Sequence, residues 1–365
     1  MSSVHPPSAM PSAAAAAVAN PKQGDGDYQQ HVHIFRGIAI ILIVCAHTVP
    51  SLDWSQNPHL GVFIDAMANQ TSIFFFFIAG YLFQHLSGRF AFGPYLQQKF
   101  KTVILPYLLL SIPALIVFTL LTRRIGMWSW FYDLPIWQQI GLFLLTGKHL
   151  APLWFVPTIA LFYLAAPLLL WIDRRWPRGY WVILPLLALA TYTGRGGPLG
   201  PLNIAPYLLP VYLLGMLFSR HKQQARALVQ RWWPVLALVM VGCLAGEFYD
   251  WRQPPYRQVL LKTALALLIT VALWHTHHLI GKRLDTIAEL SFGIFFIHAY
   301  FISAIKVATV YLLLGRAYTG EGGEVIPGTL LNFVLYAGSV LALSVLTLLL
   351  VKRVLGRRSR MLVGA

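Results

Sequence analysis

Two ionisable residues lie in the first long apolar segment of the chain, where their spacing could support chemistry. Arg36 and His47 are eleven positions apart, which is about three turns of an α-helix. Both side chains are therefore expected on one helix face, with an axial separation of about 16 Å. An arginine can hold an anionic group, and a histidine can act as a general base or a nucleophile. The alternatives are an arginine that snorkels to the membrane edge and a histidine bonded to a neighbouring helix.

A second polar group opens the next apolar segment. Asp65, Asn69 and Gln70, with a Thr-Ser pair after them, precede the Phe-rich run IFFFFIAGYLF. If the first two segments cross a membrane in opposite directions, these side chains reach a depth similar to that of His47. We expect a polar pocket between the two segments, and Asp65 is the best acidic candidate to orient His47. The alternative is hydrogen bonding that only packs the two helices together, at about 0.6 kcal/mol per bond.

Further candidates occur later in the chain. Ser291 and His298 are seven residues apart in ELSFGIFFIHAYF and are expected on one helix face. For His298 alone, packing remains the favoured interpretation. Lys99 and Lys101 precede the third segment, where positive-inside marking is the simpler explanation, and Trp154 in PLWFVP is typical of an interface anchor.

A histidine cluster is the only motif that suggests a metal. His275, His277 and His278 lie close together near the end of an apolar segment, but no carboxylate or cysteine accompanies them at helical spacing. Cys45 and Cys243 both lie in apolar runs and form neither a disulfide framework nor a zinc pattern. We therefore predict no metal.

The composition defines the elements that must position these residues. Of the 365 residues, 57% are hydrophobic and only 11% are charged, against roughly 25% charged in soluble domains. A soluble enzyme, a disordered chain and a collagen-like chain are excluded, which leaves an integral membrane protein. The 28 Lys and Arg residues against 12 Asp and Glu give a net charge of +16. Cytoplasmic loops of membrane proteins collect such cations, so we expect no nucleic-acid partner.

Apolar segments of about 20 residues predict the spans of an all-α integral membrane protein. The ten expected transmembrane helices cover residues 34–51, 62–84, 103–122, 149–172, 180–194, 204–219, 233–249, 257–275, 286–314 and 328–351. The fifth and sixth are short. The apolar stretch 134–147 fits an interfacial or re-entrant segment better than a span. We expect a disordered cytoplasmic tail over 1–30, a transmembrane domain over 31–353 and a basic cytoplasmic tail over 354–365.

The distribution of cations predicts the orientation. With the N-terminus inside, the cations of the inner segments outnumber those of the outer segments and outer span edges by more than two to one. Both termini are therefore expected in the cytoplasm. The outer group consists of Arg123, Arg124, Lys148, Arg195, Arg252, Arg257, Lys262 and Arg316, whereas Arg36 and Lys306 fall within spans.

Taken together, these motifs resemble the bacterial membrane-bound acyltransferase family 3. The family's mark is an arginine followed by ten residues and a histidine, which Arg36 and His47 match. FFFFIAGYLF, KFKTVILPY, LWFVP and SFGIFFIH resemble four further family segments, in the family's order and over nearly the whole chain. The branch that the chain is most similar to contains the sugar O-acetylases of exopolysaccharide pathways. There are departures: His33 replaces an acidic residue, Thr71 a histidine, and Lys99 and Lys101 a paired-arginine motif.

The resemblance implies acetyl transfer from cytosolic acetyl-CoA to a sugar hydroxyl at the outer face of the bacterial inner membrane. The acceptor would be an exopolysaccharide or a lipid-linked oligosaccharide precursor. Catalysis would then rest on His47, Arg36 and Asp65. The expected substrate-binding residues are Lys99, Lys101, Asn69, Gln70, Tyr81, Trp154, Ser291 and His298.

Alternatives remain open for the mechanism and for the activity. His47 can serve as a general base or can carry the acetyl group itself. A transporter or flippase for lipid-linked sugars would use the same intramembrane polar groups. A non-catalytic scaffold would leave the shared face of Arg36 and His47 unexplained.

Overall fold

The protein is an all-α bundle with almost no β-structure. The structure, a computed structural model, describes residues 29–196, 200–249, 257–318 and 323–365. The expected tail over 1–30 lies almost wholly outside these ranges, as does Arg252. The helices are α1 (Gln30–Thr48), α2 (Pro58–Ala68), α3 (Ser72–His85), α4 (Phe92–Lys99), α5 (Leu105–Ile116), α6 (Ile136–Thr146), α7 (Phe155–Arg175), α8 (Ile183–Thr193), α9 (Pro201–Arg220), α10 (Lys222–Tyr249), α11 (Gln258–Glu289), α12 (Ser291–Leu314), α13 (Leu330–Leu355) and α14 (Ser359–Leu362).

The membrane class predicted from composition is confirmed. Within the described residues, nine helical segments are long and apolar enough to cross a membrane. Helices α2 and α3 together form one of these segments, and α4 and α5, with the π-helical turn after each of the two, form another. The remaining seven are α1, α7 and the five long helices from α9 to α13. The fifth predicted span, 180–194, is a 3₁₀ segment (Pro177–Val182) continued by the 11-residue α8 and is not among the nine. The stretch 134–147 forms the 11-residue apolar α6, too short to span.

The second predicted span is broken in the middle. Helix α2 ends at Ala68 and α3 begins at Ser72. Between them Gln70 has φ +54°, a left-handed conformation that residues other than glycine rarely adopt. A break frees backbone carbonyls, which must find other donors in an apolar environment. It also turns consecutive polar residues towards the same space.

Helix α1 lies at the centre of the bundle. It packs against α2, α3, α11, α12 and α13, so groups on several of its faces are covered by protein. Helices α3 and α9 also approach closely at two glycines. A Cβ at Gly80 would lie 2.0 Å from the Tyr212 carbonyl oxygen, and one at Gly215 would lie 2.1 Å from that of Phe77. Small residues permit such close backbone contact between membrane helices.

Two short strands pair with each other just beyond the end of α1 that carries His47. Strand β1 (Leu52–Asp53) pairs in parallel with β2 (Ile326–Pro327). The Trp54 indole donates to the Val49 carbonyl over 2.9 Å. The loops before α2 and α13 are thereby held together beside the last turn of α1.

Candidate active site

Helices α1 and α12 hold the two predicted residue pairs in register. The Arg36 guanidinium donates to the Ser291 hydroxyl over 2.9 Å. Farther along, the His47 and His298 rings lie 5.3 Å apart between centroids. The two helices therefore run in parallel. The shared faces predicted from the spacing of Arg36 with His47 and of Ser291 with His298 are confirmed by these contacts.

His47 lines a polar cavity, here called the chamber, with a volume of about 200 Å³. Asp65, Asn69, Gln70 and Trp154 line it as well, so the structure brings these five sequence-predicted residues together. Both apolar and polar side chains form the remaining walls. The other lining residues are Ile43, Ala46, Pro50, Thr71, Ser72, Pro152, Arg195 and Phe295.

The helix break presents the polar wall of the chamber. The Asn69 side-chain amide donates to the Asp65 carboxylate over 3.3 Å. The Tyr207 hydroxyl donates to the Gln70 side-chain oxygen over 2.6 Å, which holds the strained residue in place. Among the described residues, no hydrogen bond joins Asp65 to His47. The orienting contact suggested by the sequence is therefore not present in this arrangement, although both groups face the same cavity.

Arg195 also lines the chamber, although the sequence predicted it only as one of the cations of the outer segments. Its guanidinium carbon lies 3.8 Å from the centroid of the Trp154 ring, a cation–π contact. Burial lowers the pKa of Arg195 to about 10, so the group keeps its charge at neutral pH. The chamber thus contains a fixed positive charge beside an aromatic wall. Arg195 lies in a short glycine-rich connection, and nothing in the sequence distinguishes it from the other loop cations.

Lys262, predicted as a cation of an outer span edge, lies near the start of α11 with its side chain fully buried. Its ammonium group donates to the carbonyls of Ala66 and Met67, at 3.0 Å for the second. These carbonyls lie at the end of α2, just before the break. A buried lysine therefore replaces the hydrogen bonds that the broken helix lacks, and it lies close enough to Asp65 for electrostatic interaction.

The opposite end of α1 carries a cluster of cations. The Lys99 ammonium lies over the rings of Tyr95 and Tyr163, at 5.4 and 5.1 Å from their centroids. Arg36 and Arg360 are near enough to interact with it electrostatically. Lys101, the other lysine predicted to bind substrate, lies on a π-helical turn (Phe100–Ile104). Its side chain is exposed and does not point into the bundle.

His33 and Tyr81 also lie towards this end of the bundle. His33, the departure from the family's acidic position, pairs with Asp285 of α11 at 3.0 Å. Tyr81 is fully buried, and its hydroxyl donates to the Gln29 side chain over 3.1 Å. It is therefore outside the chamber, near the start of α1. Within the described ranges, no group of three or more His, Cys, Asp or Glu side chains is arranged to hold a metal.

The fold and the site together define a multi-pass membrane protein with a histidine that lines a polar cavity between its helices. The sequence profile of acyltransferase family 3, described as an acyltransferase domain, matches residues 30–349. The chain belongs to this family, and it is a membrane acyltransferase. Searches of the curated proteins and of the solved structures give no match.

Proposed function

We propose that this acyltransferase moves an acetyl group from cytosolic acetyl-CoA to a sugar hydroxyl at the outer face of the bacterial inner membrane. The acceptor is an exopolysaccharide or its lipid-linked precursor. One observation carries the proposal. Arg36 and His47 lie on the same face of α1, about 16 Å apart along its axis, and α12 contacts both through Ser291 and His298.

The cation cluster around Arg36 suits the anionic end of the donor. Arg36 and Lys99 would hold the phosphates of CoA through charge-assisted hydrogen bonds. The exposed Lys101 would add to the positive field at the entrance. The pantetheine arm would then follow α1 towards the chamber and place the thioester beside His47. The axial separation of about 16 Å is on the scale of such an extended arm.

In the chamber, neutral His47 would accept the proton of the sugar hydroxyl. The hydroxyl oxygen would attack the thioester carbonyl, the C–S bond would break, and the CoA thiolate would leave and take up a proton. In the covalent alternative, His47 would first form an acetyl-imidazole and pass the acetyl group to the sugar. Asp65, Asn69 and Gln70 supply the hydrogen-bonding groups that would hold the acceptor.

The first experiment tests the chemistry at His47. His47→Ala, in membrane vesicles supplied with acetyl-CoA and acceptor, is expected to lower the acetylation rate about 10²–10⁴-fold, the usual contribution of a positioned base. His59→Ala, an exposed histidine at the start of α2, is the matched control and keeps the parental rate. Near-parental acetylation by His47→Ala would remove the proposed chemistry. Sugar translocation without acetyl transfer in the unmodified protein would favour a transporter instead.

The second experiment tests the donor site. Arg36→Ala is expected to raise the KM for acetyl-CoA about 10–100-fold, because a charge-assisted hydrogen bond contributes about 1.5–3 kcal/mol. The KM for the acceptor stays within about twofold. An increase in the acceptor KM with an unchanged acetyl-CoA KM would contradict the assignment of Arg36 to the donor.

A further inference from the structure

A second cavity, here called the side pocket, adjoins the chamber. It has a volume of about 240 Å³ and is lined by residues of two connections, among them Arg124, Met127, Gly147, Lys148 and Trp154. Trp154 lines both cavities. The side pocket is somewhat smaller than the roughly 300–1,000 Å³ of sites for drug-sized ligands. It therefore suits a single sugar unit or one charged group.

The side pocket has two cations on its wall. The Lys148 ammonium lies 4.1 Å from the centroid of the Trp128 ring, and the Arg124 guanidinium contacts the Phe118 ring and the Lys148 carbonyl. Within the part of the chain that the structure describes, no carboxylate forms an ion pair with Arg124 or Lys148. Burial lowers the pKa of Arg124. Both cations therefore lie over aromatic rings, and no carboxylate at ion-pair distance balances their positive charge among the described residues.

The backbone that presents Lys148 is held firmly in place. Gly147 has φ +69°, and a Cβ at this position would lie 2.3 Å from the Trp154 backbone nitrogen. Only glycine allows the connection after α6 to approach the segment before α7 this closely. Lys148 and Trp154 are thereby fixed next to each other. On the chamber side, Arg195 stacks on the same Trp154 indole ring.

We propose that the side pocket binds an anionic group carried by the acceptor, next to the hydroxyl that the chamber acetylates. This proposal rests on the proposed function. Carboxylate and phosphate share the chemistry that Arg124 and Lys148 recognise, and Trp154 offers an apolar face for a sugar ring. The anion is either a uronic acid carboxylate within the sugar chain or the diphosphate of a lipid carrier.

The test is direct binding to the purified full-length protein in nanodiscs, without acetyl-CoA. Three probes are compared: a glucuronic acid-containing disaccharide, the same disaccharide with glucose in place of glucuronic acid, and a polyprenyl diphosphate. One of the two anionic probes is expected to bind at least tenfold more tightly than the neutral disaccharide, and its identity tells which source supplies the anion. Arg124→Gln and Lys148→Gln should each weaken this binding about tenfold and leave the neutral disaccharide unaffected.

Two further variants keep the result interpretable. Lys148→Arg preserves the charge and is expected to keep tight binding. Arg123→Gln, at the neighbouring cation that lies over the Tyr132 ring and does not line the pocket, should bind like the parent. Equal binding of neutral and anionic probes, or equal losses in Arg123→Gln and Lys148→Gln, would overturn the proposal. Because binding is measured without turnover, a failure of acetyl transfer would be seen separately, in the His47 assay.

Discussion

The two ends of helix α1 surround their ionisable residue in different ways. Arg36 donates to the hydroxyl of Ser291 and lies near Lys99, which in turn lies near Arg360. His47 faces a cavity lined by amide, hydroxyl and carboxylate groups and by the Arg195 guanidinium, and it lies beside His298. One end groups several cations, whereas the other combines one cation with hydrogen-bond donors and acceptors around a titratable ring.

The two surroundings suit the two ends of α1 to different tasks. A cluster of like charges is suited to hold a multiply charged anion but offers nothing that accepts a proton. The chamber offers a proton acceptor and hydrogen-bonding groups within a space of about 200 Å³. Separating the two along α1 places the imidazole, which must be neutral to act as a base, outside the cluster that holds the anion. A change at one end should therefore leave the function of the other end intact.

The largest effect is expected from Lys262, which supports the chamber end alone. Lys262→Met would leave the Met67 carbonyl without its donor and the Ala66 carbonyl with only the 3.5 Å contact from the Gln258 side chain, and an unsatisfied group costs about 1–3 kcal/mol. We expect the free energy of unfolding to fall by about 2–5 kcal/mol, measured by thermal unfolding in detergent. Acetyl transfer should fall with it, while acetyl-CoA binding below the unfolding temperature stays near parental.

Lys282→Met is the matched control, because this lysine lies on the same helix but is exposed. It is expected to change stability by less than about 0.5 kcal/mol. If both lysine variants unfold like the parent, the buried ammonium group does not support the helix break.

The sequence predicts the periodic part of this site well. Arg36 and His47, like Ser291 and His298, are placed on shared faces by helical spacing alone, and the structure pairs them across α1 and α12. Apolar segment lengths also predict nearly all of the membrane-spanning segments. These features depend on local geometry, which spacing along one helix determines.

Features that depend on contacts between distant segments could not be predicted. Lys262 is indistinguishable from an edge cation until α11 is packed against the end of α2. Arg195 enters the chamber only because its loop folds over Trp154. The break at Gln70 had a visible signal, a run of four polar residues inside an apolar segment, but the left-handed backbone follows from tertiary contacts such as the Tyr207 hydrogen bond.

A smaller effect should separate the two ends through one helix. Ser291→Ala removes the hydroxyl that Arg36 contacts and should raise the KM for acetyl-CoA about fivefold with kcat unchanged, the value of one hydrogen bond near 1 kcal/mol. His298→Phe keeps a ring beside His47 but removes its polar atoms. It should lower kcat about tenfold with the KM for acetyl-CoA unchanged, because His298 acts by positioning His47.

Steady-state kinetics with both substrates, alongside the thermal midpoint of each variant, distinguish these results from unfolding. His298 is fully buried and its Nδ1 donates to the Ile294 carbonyl, while its Nε2 has no hydrogen-bond partner among the described residues. A purely packing histidine would change stability without changing kcat. The same kinetic change in both variants would show that the two ends of α1 do not act separately.

The smallest effect is expected from two surface ion pairs, one near each end. Lys306 and Glu324 lie 2.6 Å apart near the chamber end, and the more exposed pair Lys352 and Glu289 has the same separation near the other end. The hydrogen bond and charge of Lys306 lower the pKa of the Glu324 carboxyl. The ion pair therefore stabilises the fold at pH values above the ordinary glutamate pKa of 4.5. This contribution is lost as the pH falls through the lower pKa of the folded state.

Glu324→Gln should lower the free energy of unfolding by about 0.2–1 kcal/mol at pH 7 and by progressively less in acid. Glu289→Gln, measured by thermal unfolding at pH 7 and in acid alongside Glu324→Gln, should lower the free energy of unfolding less at pH 7. An equal loss of stability in the two variants would mean that the difference in exposure between the two ion pairs has no effect.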